Sequence, residues 1–96
     1  MSPINKKKLS IIRIKLDKLD NELLKLIKKR SNLVNEVLKV KIHKKEIIDQ
    51  KRINFILKKI KKKSIQLNID PKITNRIWKN MIWSFIDYEK RNFKKK

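Results

Sequence analysis

The sequence predicts an all-α fold of three helices, one long and two shorter, with no strand. Three observations carry this. Apolar residues recur at spacings of three and four through Ile12, Leu16, Leu19, Leu23 and Leu26, and, after one interrupted position, at Leu33 and Val37, the period of one buried helix face. Gly is absent and Pro occurs only twice, so little interrupts a helix once it starts. Asn68-Ile69-Asp70-Pro71 marks a sharp boundary, because Asp suits an N-cap and Pro the first helical position.

The first helix is expected from about Lys6 to about Ile42. A polar stretch, His43 to Glu46, then breaks the pattern. The second helix is expected from about Ile48 to Leu67, with Ile53, Ile56 and Ile60 inward and the lysines between Lys58 and Lys63 mostly outward. The third runs from Pro71 to about Asn92, with Ile77, Trp78, Met81, Ile82, Phe85 and Phe93 as its apolar residues. No repeat and no linker divides the chain. One domain is expected over 1–96, with a core at about 9–92 and a basic, frayed tail at 93–96.

The long helix has a consequence for assembly. At 1.5 Å per residue it would span about 55 Å, whereas a compact domain of this size has a radius of gyration near ~13 Å. It must overhang its two shorter partners, and its apolar stripe continues over the overhang. An intertwined two-fold homodimer would cover that stripe.

Composition excludes several chemistries. There is no Cys, and His43 is the only His, so thiolate chemistry, disulfides, zinc fingers and Ser-His triads drop out. No apolar run approaches the ~18 residues that span a bilayer, and the basic N-terminus lacks the apolar segment of a signal peptide. A soluble, cytoplasmic protein without membrane or nucleic-acid partners is expected. The net charge of +20 could signal a nucleic acid. Yet 24 of the 29 basic residues are Lys, in a chain rich in Ile, Lys and Asn, so solvated lysine faces account for much of it. Against that background the five arginines stand out, since a guanidinium fork grips carboxylates in a way an ammonium does not.

Charges inside apolar stripes are the candidate site. Arg30 and Lys41 interrupt the stripe of the first helix. They are eleven residues apart, so they differ by only about 20° around the axis. Cations on a face meant for burial are costly unless an anion meets them. On the second helix Asp49 and Arg52 stand at i, i+3, which fits either an N-cap with a surface ion pair or a place in that site. On the third, Trp78, Ile82, Phe85 and Glu89 share a face, so Glu89 stands where an apolar residue is expected. Arg13 precedes Arg30 by seventeen residues, about 25 Å along the axis. It is beyond reach of that site in its own chain, but not in a two-fold dimer. His43 and the aromatic residues fit solvated-loop and core roles.

The segments Leu16 to Lys41 (LDKLDNELLKLIKKRSNLVNEVLKVK), Asp49-Gln50-Lys51-Arg52, Ile69-Asp70-Pro71 and Ile77 to Glu89, with Arg13 ahead of them, resemble the all-helical, or AroQ-class, chorismate mutases over about residues 9–92. That resemblance implies an isomerase that rearranges chorismate to prephenate in aromatic amino acid biosynthesis, as an intertwined helical homodimer without cofactor or metal. It implies that Arg30 holds a substrate carboxylate and that Arg13 serves the partner's site. Lys41 would contact the ether oxygen and a nearby carboxylate, and Asp49 and Arg52 would shape the site near the ring hydroxyl. Glu89 falls where the bacterial prototype has Gln, the second donor to the ether oxygen. Two positions depart from the family. Ile53 replaces the Glu that binds the ring hydroxyl, and Phe85 replaces a Ser, with Ser84 adjacent.

The implied reaction is one concerted pericyclic step that needs no nucleophile. The protein would orient the dianion with Arg13 and Arg30, with Arg52 as a third candidate. It would stabilise charge on the ether oxygen with Lys41 and a protonated Glu89. Isochorismate pyruvate elimination on the same fold, a basic helical nucleic-acid binder and a purely structural helical dimer are the competing readings.

Overall fold

The computed structural model describes residues 2–94, and among these there are three α-helices and no strand. The helices are α1 (Pro3–Val40), α2 (Gln50–Gln66) and α3 (Pro71–Asn92), with a 3-10 turn at Lys44–Ile47 between α1 and α2. The chain divides into two units, residues 2–33 and residues 34–94.

The first unit is α1 alone, up to Leu33. The helix begins three residues earlier than its apolar pattern indicates. Ser2 Oγ accepts from the Asn5 N–H at 3.1 Å and Ser2 O from the Lys6 N–H at 2.9 Å, with Pro3 in the first turn. This is the capping device recognised at Asp70-Pro71, used a second time. None of the stripe is buried within the single chain: Ile12, Leu16, Leu19, Leu23 and Leu26 are all exposed.

The second unit holds the end of α1, the 3-10 turn, α2 and α3. α1 stops at Val40, two residues short of expectation. The Glu46 carboxylate takes the N–H groups of Ile42, at 3.3 Å, and His43, at 2.8 Å, and so draws both residues out of helical register. Asp49 then caps α2 through the Arg52 N–H at 3.0 Å, a contact of a kind worth about 1 kcal/mol. α2 ends in a Schellman motif. The Asn68 N–H bonds the Ile65 carbonyl at 3.2 Å and the Ile69 N–H bonds the Ser64 carbonyl at 2.8 Å, with Asn68 left-handed at φ 56°. A chain without Gly uses Asn here, the next most tolerant residue. Asp70 restarts the helix by accepting from the Lys72 N–H at 2.9 Å.

α2 and α3 pack on each other and the 3-10 turn packs on α3. Ile47, Ile53, Ile82 and Ile86 form the buried cluster, flanked by Ile56, Leu57, Trp78 and Phe93. Each buried isoleucine contributes about 1.5–3 kcal/mol. Ile77 is exposed instead of joining this core. Phe93 lies beyond α3 but is half-buried against the core, so the expected frayed tail is anchored there; Lys95 and Lys96 lie outside the described residues. At the α2–α3 turn, buried Ser64 and Thr74 meet hydroxyl to hydroxyl at 2.7 Å. Each hydroxyl also faces a carbonyl of its own helix, Ser64 Oγ that of Ile60 at 2.6 Å and Thr74 Oγ1 that of Pro71 at 3.4 Å.

Among the described residues, no helix is long and apolar enough to cross a membrane, and no group of His, Cys, Asp and Glu residues could hold a metal ion.

Candidate active site

Glu89 lies on the inner face of α3, three residues past Ile86 and seven past Ile82, and is only 6% exposed. A carboxylate there needs a partner, and Lys41 supplies it. Lys41 is the first residue beyond α1, and its N–H still bonds the Val37 carbonyl at 3.2 Å. Its Nζ donates to Glu89 Oε1 at 3.1 Å. An ammonium carries three N–H groups, and one aimed at Glu89 leaves two for an anion or an ether oxygen. The pair joins positions 48 residues apart.

Asp49 and Arg52 stand together at the start of α2, linked through the Arg52 backbone. The exposed Arg52 guanidinium lies 5.5 Å from the centre of the Phe55 ring, a cation–π contact that orients it. Arg13 is exposed and Arg30 half-buried, both in the first unit, while Phe85 is half-buried on α3. Ser84, beside Phe85, is exposed and donates to the Asn80 carbonyl at 2.6 Å.

Glu46, which takes the Ile42 and His43 N–H groups just after Lys41, titrates below its ordinary value. The His43 N–H is the main cause; desolvation opposes it, and the Ile42 N–H and the charges of His43 and Lys41 add to the lowering.

The family model for chorismate mutase type II matches residues 12–90, most of the chain. This chain belongs to the chorismate mutase type II family. A chorismate mutase of Methanocaldococcus jannaschii is 36% identical over 76 residues, which cover 78% of this chain and 77% of that relative. No solved structure matches.

Ile53, the departure that the resemblance to chorismate mutases implied, is 6% exposed and packs with Ile47, Ile82 and Ile86. Three contributors escaped the sequence reading. Ile47, the most buried of the core isoleucines, falls between the polar stretch and the expected start of the second helix. Glu46 acts through backbone N–H groups, although a Glu three residues after a cap position is a readable signal. The third is the hydrogen bond from Tyr88 Oη to Asn35 Oδ1 at 2.7 Å, across 53 residues, for which no local pattern exists.

Proposed function

We propose that this protein is a chorismate mutase, converting chorismate to prephenate as a homodimer with each single-domain chain lending Arg13 to the other's site. The Lys41–Glu89 pair in a chain of this family is the observation that carries the reading. A half-buried ammonium with donors to spare, in an apolar setting, suits the oxygen that gains charge as the substrate's C–O bond breaks and its new C–C bond forms. No proton has to leave a carbon and no covalent intermediate forms, so the work divides into holding and stabilising.

Holding falls to the arginines. Arg30 grips one substrate carboxylate, Arg13 of the partner subunit grips a carboxylate from the far side, and Arg52 with Asp49 and Phe85 borders the ring. Two bound carboxylates restrict the dianion to the compact conformer in which the reacting carbons approach. Stabilising falls to Lys41 and to Glu89, which donates to the ether oxygen when it carries a proton. The net charge of +20 draws a dianion toward the protein. The exposed stripe from Ile12 to Leu26 supports the dimer, since so much aligned apolar surface on one helix is a face that a second chain covers.

The test is direct. Purified protein is added to chorismate, loss of substrate is followed, and the product is identified. Prephenate formation at a rate above the uncatalysed one is expected. Release of pyruvate, or no turnover, overturns the proposal.

A further inference from the structure

Two side-chain links tie the end of α1 and the residue just beyond it to α3, and on α3 they come from neighbouring residues. Tyr88 Oη donates to Asn35 Oδ1 at 2.7 Å, and Lys41 Nζ donates to Glu89 Oε1 at 3.1 Å. On α3 the two residues are consecutive, so they leave the helix about 100° apart and grip from two sides. Their partners, Asn35 on α1 and Lys41 just beyond it, are six residues apart in the chain. The packing of Ile82 and Ile86 holds α3 by apolar contacts, which tolerate a small roll about its axis. Two contacts at different angles and heights remove that freedom.

The Tyr88 ring is itself held in place. Asp87 Oδ2 accepts from Arg91 Nε at 2.9 Å, and the Arg91 guanidinium stands 6.0 Å from the Tyr88 ring centre. Asn92 Nδ2 donates to the Tyr88 carbonyl at 2.9 Å. Tyr88 and Asn35 are both half-buried, where a hydroxyl and an amide stay paired and do not exchange freely with water.

We propose that Tyr88 and Asn35 are positioning residues for catalysis: their hydrogen bond sets the rotation of α3 that brings Glu89 to Lys41. Neither touches the reacting atoms. They act through Glu89, whose carboxylate moves if α3 rolls. The inference rests on the reading that Lys41 and Glu89 face the substrate's ether oxygen. On that reading substrate carboxylates are held elsewhere, by arginines, so loss of the Tyr88–Asn35 bond raises the barrier more than it weakens binding.

Tyr88→Phe deletes the hydroxyl and keeps the ring. Asn35→Leu deletes the acceptor, and Asn35→Asp restores one. Tyr88→Phe and Asn35→Leu should each lower kcat about tenfold, with KM within about twofold of wild type, as expected when a catalytic group is slightly misplaced. The double variant should be no slower than either single one, because both remove the same bond. Asn35→Asp should return kcat to within about threefold of wild type. Wild-type kcat in both single variants, or slowing that multiplies in the double variant, overturns the proposal.

A second readout separates this proposal from the activity it rests on. The carboxyl-carbon NMR resonance of Glu89 should shift in Tyr88→Phe and Asn35→Leu and return in Asn35→Asp. If wild-type protein does not convert chorismate, the activity reading fails while a shifted resonance still supports the positioning. If the resonance stays put in both deletions, the positioning fails even in an active enzyme.

Discussion

Lys41 Nζ meets Glu89 Oε1 at 3.1 Å, with only 17% of the lysine side chain and 8% of the glutamate side chain exposed. The carboxylate is the acceptor in this pair. To donate a hydrogen bond to an ether oxygen it must carry a proton, and that demand sets the first prediction. In wild type kcat/KM should fall as pH rises, because ionised Glu89 is no longer a donor. Glu89→Gln presents a permanent amide donor and should flatten that limb. Superimposable pH profiles for the two proteins would remove Glu89 from the donor role.

Arg30→Ala should cost at least about 3 kcal/mol of transition-state stabilisation, the loss expected when a charge pair with a bound carboxylate is truncated. The measurement is kcat/KM for chorismate, with helical circular dichroism to establish folding. Turnover within a few-fold of wild type would mean that Arg30 does not hold the substrate.

Complementation tests the shared site. Arg13→Ala and Arg30→Ala should each be nearly inactive alone. Co-expressed, they form mixed dimers in which one site keeps both arginines and the other loses both. Random pairing should therefore restore about a quarter of the wild-type sites. No recovery despite mixed dimers would place Arg13 and Arg30 in the same chain's site. Leu23→Asp, on the exposed stripe, should shift the protein toward monomer in sedimentation.

Ile53→Glu would place a carboxyl at a position packed against Ile47, Ile82 and Ile86. A carboxyl buried among isoleucines must either take up a proton or stay a far costlier unpaired charge, and both destabilise the fold. The variant should unfold at clearly lower denaturant concentration than wild type. Equal stability would mean that the position opens to solvent or to a cation.

Glu46 predicts a pH-dependent contribution to stability. Its carboxyl is held below its ordinary range chiefly by the His43 N–H. A group depressed in the folded state stabilises fully above its unfolded value and loses that contribution as pH falls through the folded one. The thermal midpoint of Glu46→Ala should therefore lie below wild type at neutral pH, and the gap should close as pH falls through the lowered titration of Glu46. A gap independent of pH would assign the effect to packing alone.

What could be read along the chain was what neighbouring residues decide. The three helices followed from apolar spacing and from the Asp70-Pro71 cap, and Ser2-Pro3 was legible by the same rule. The chorismate mutase motif was legible because its charges interrupt a stripe at fixed intervals. Helical periodicity exposes Arg30, Lys41 and Glu89 as misplaced charges without saying which of them meet. Their meeting depends on how α3 is rotated against the rest of its unit, and no local pattern encodes that angle. The tertiary structure alone therefore decided that Glu89 takes Lys41, that Tyr88 takes Asn35, and that Ile47 and Ile53 close over Ile82 and Ile86. Such pairings bridge tens of residues and are chosen by burial, since a charge or hydroxyl that leaves water must find its partner wherever the packed helices happen to present it.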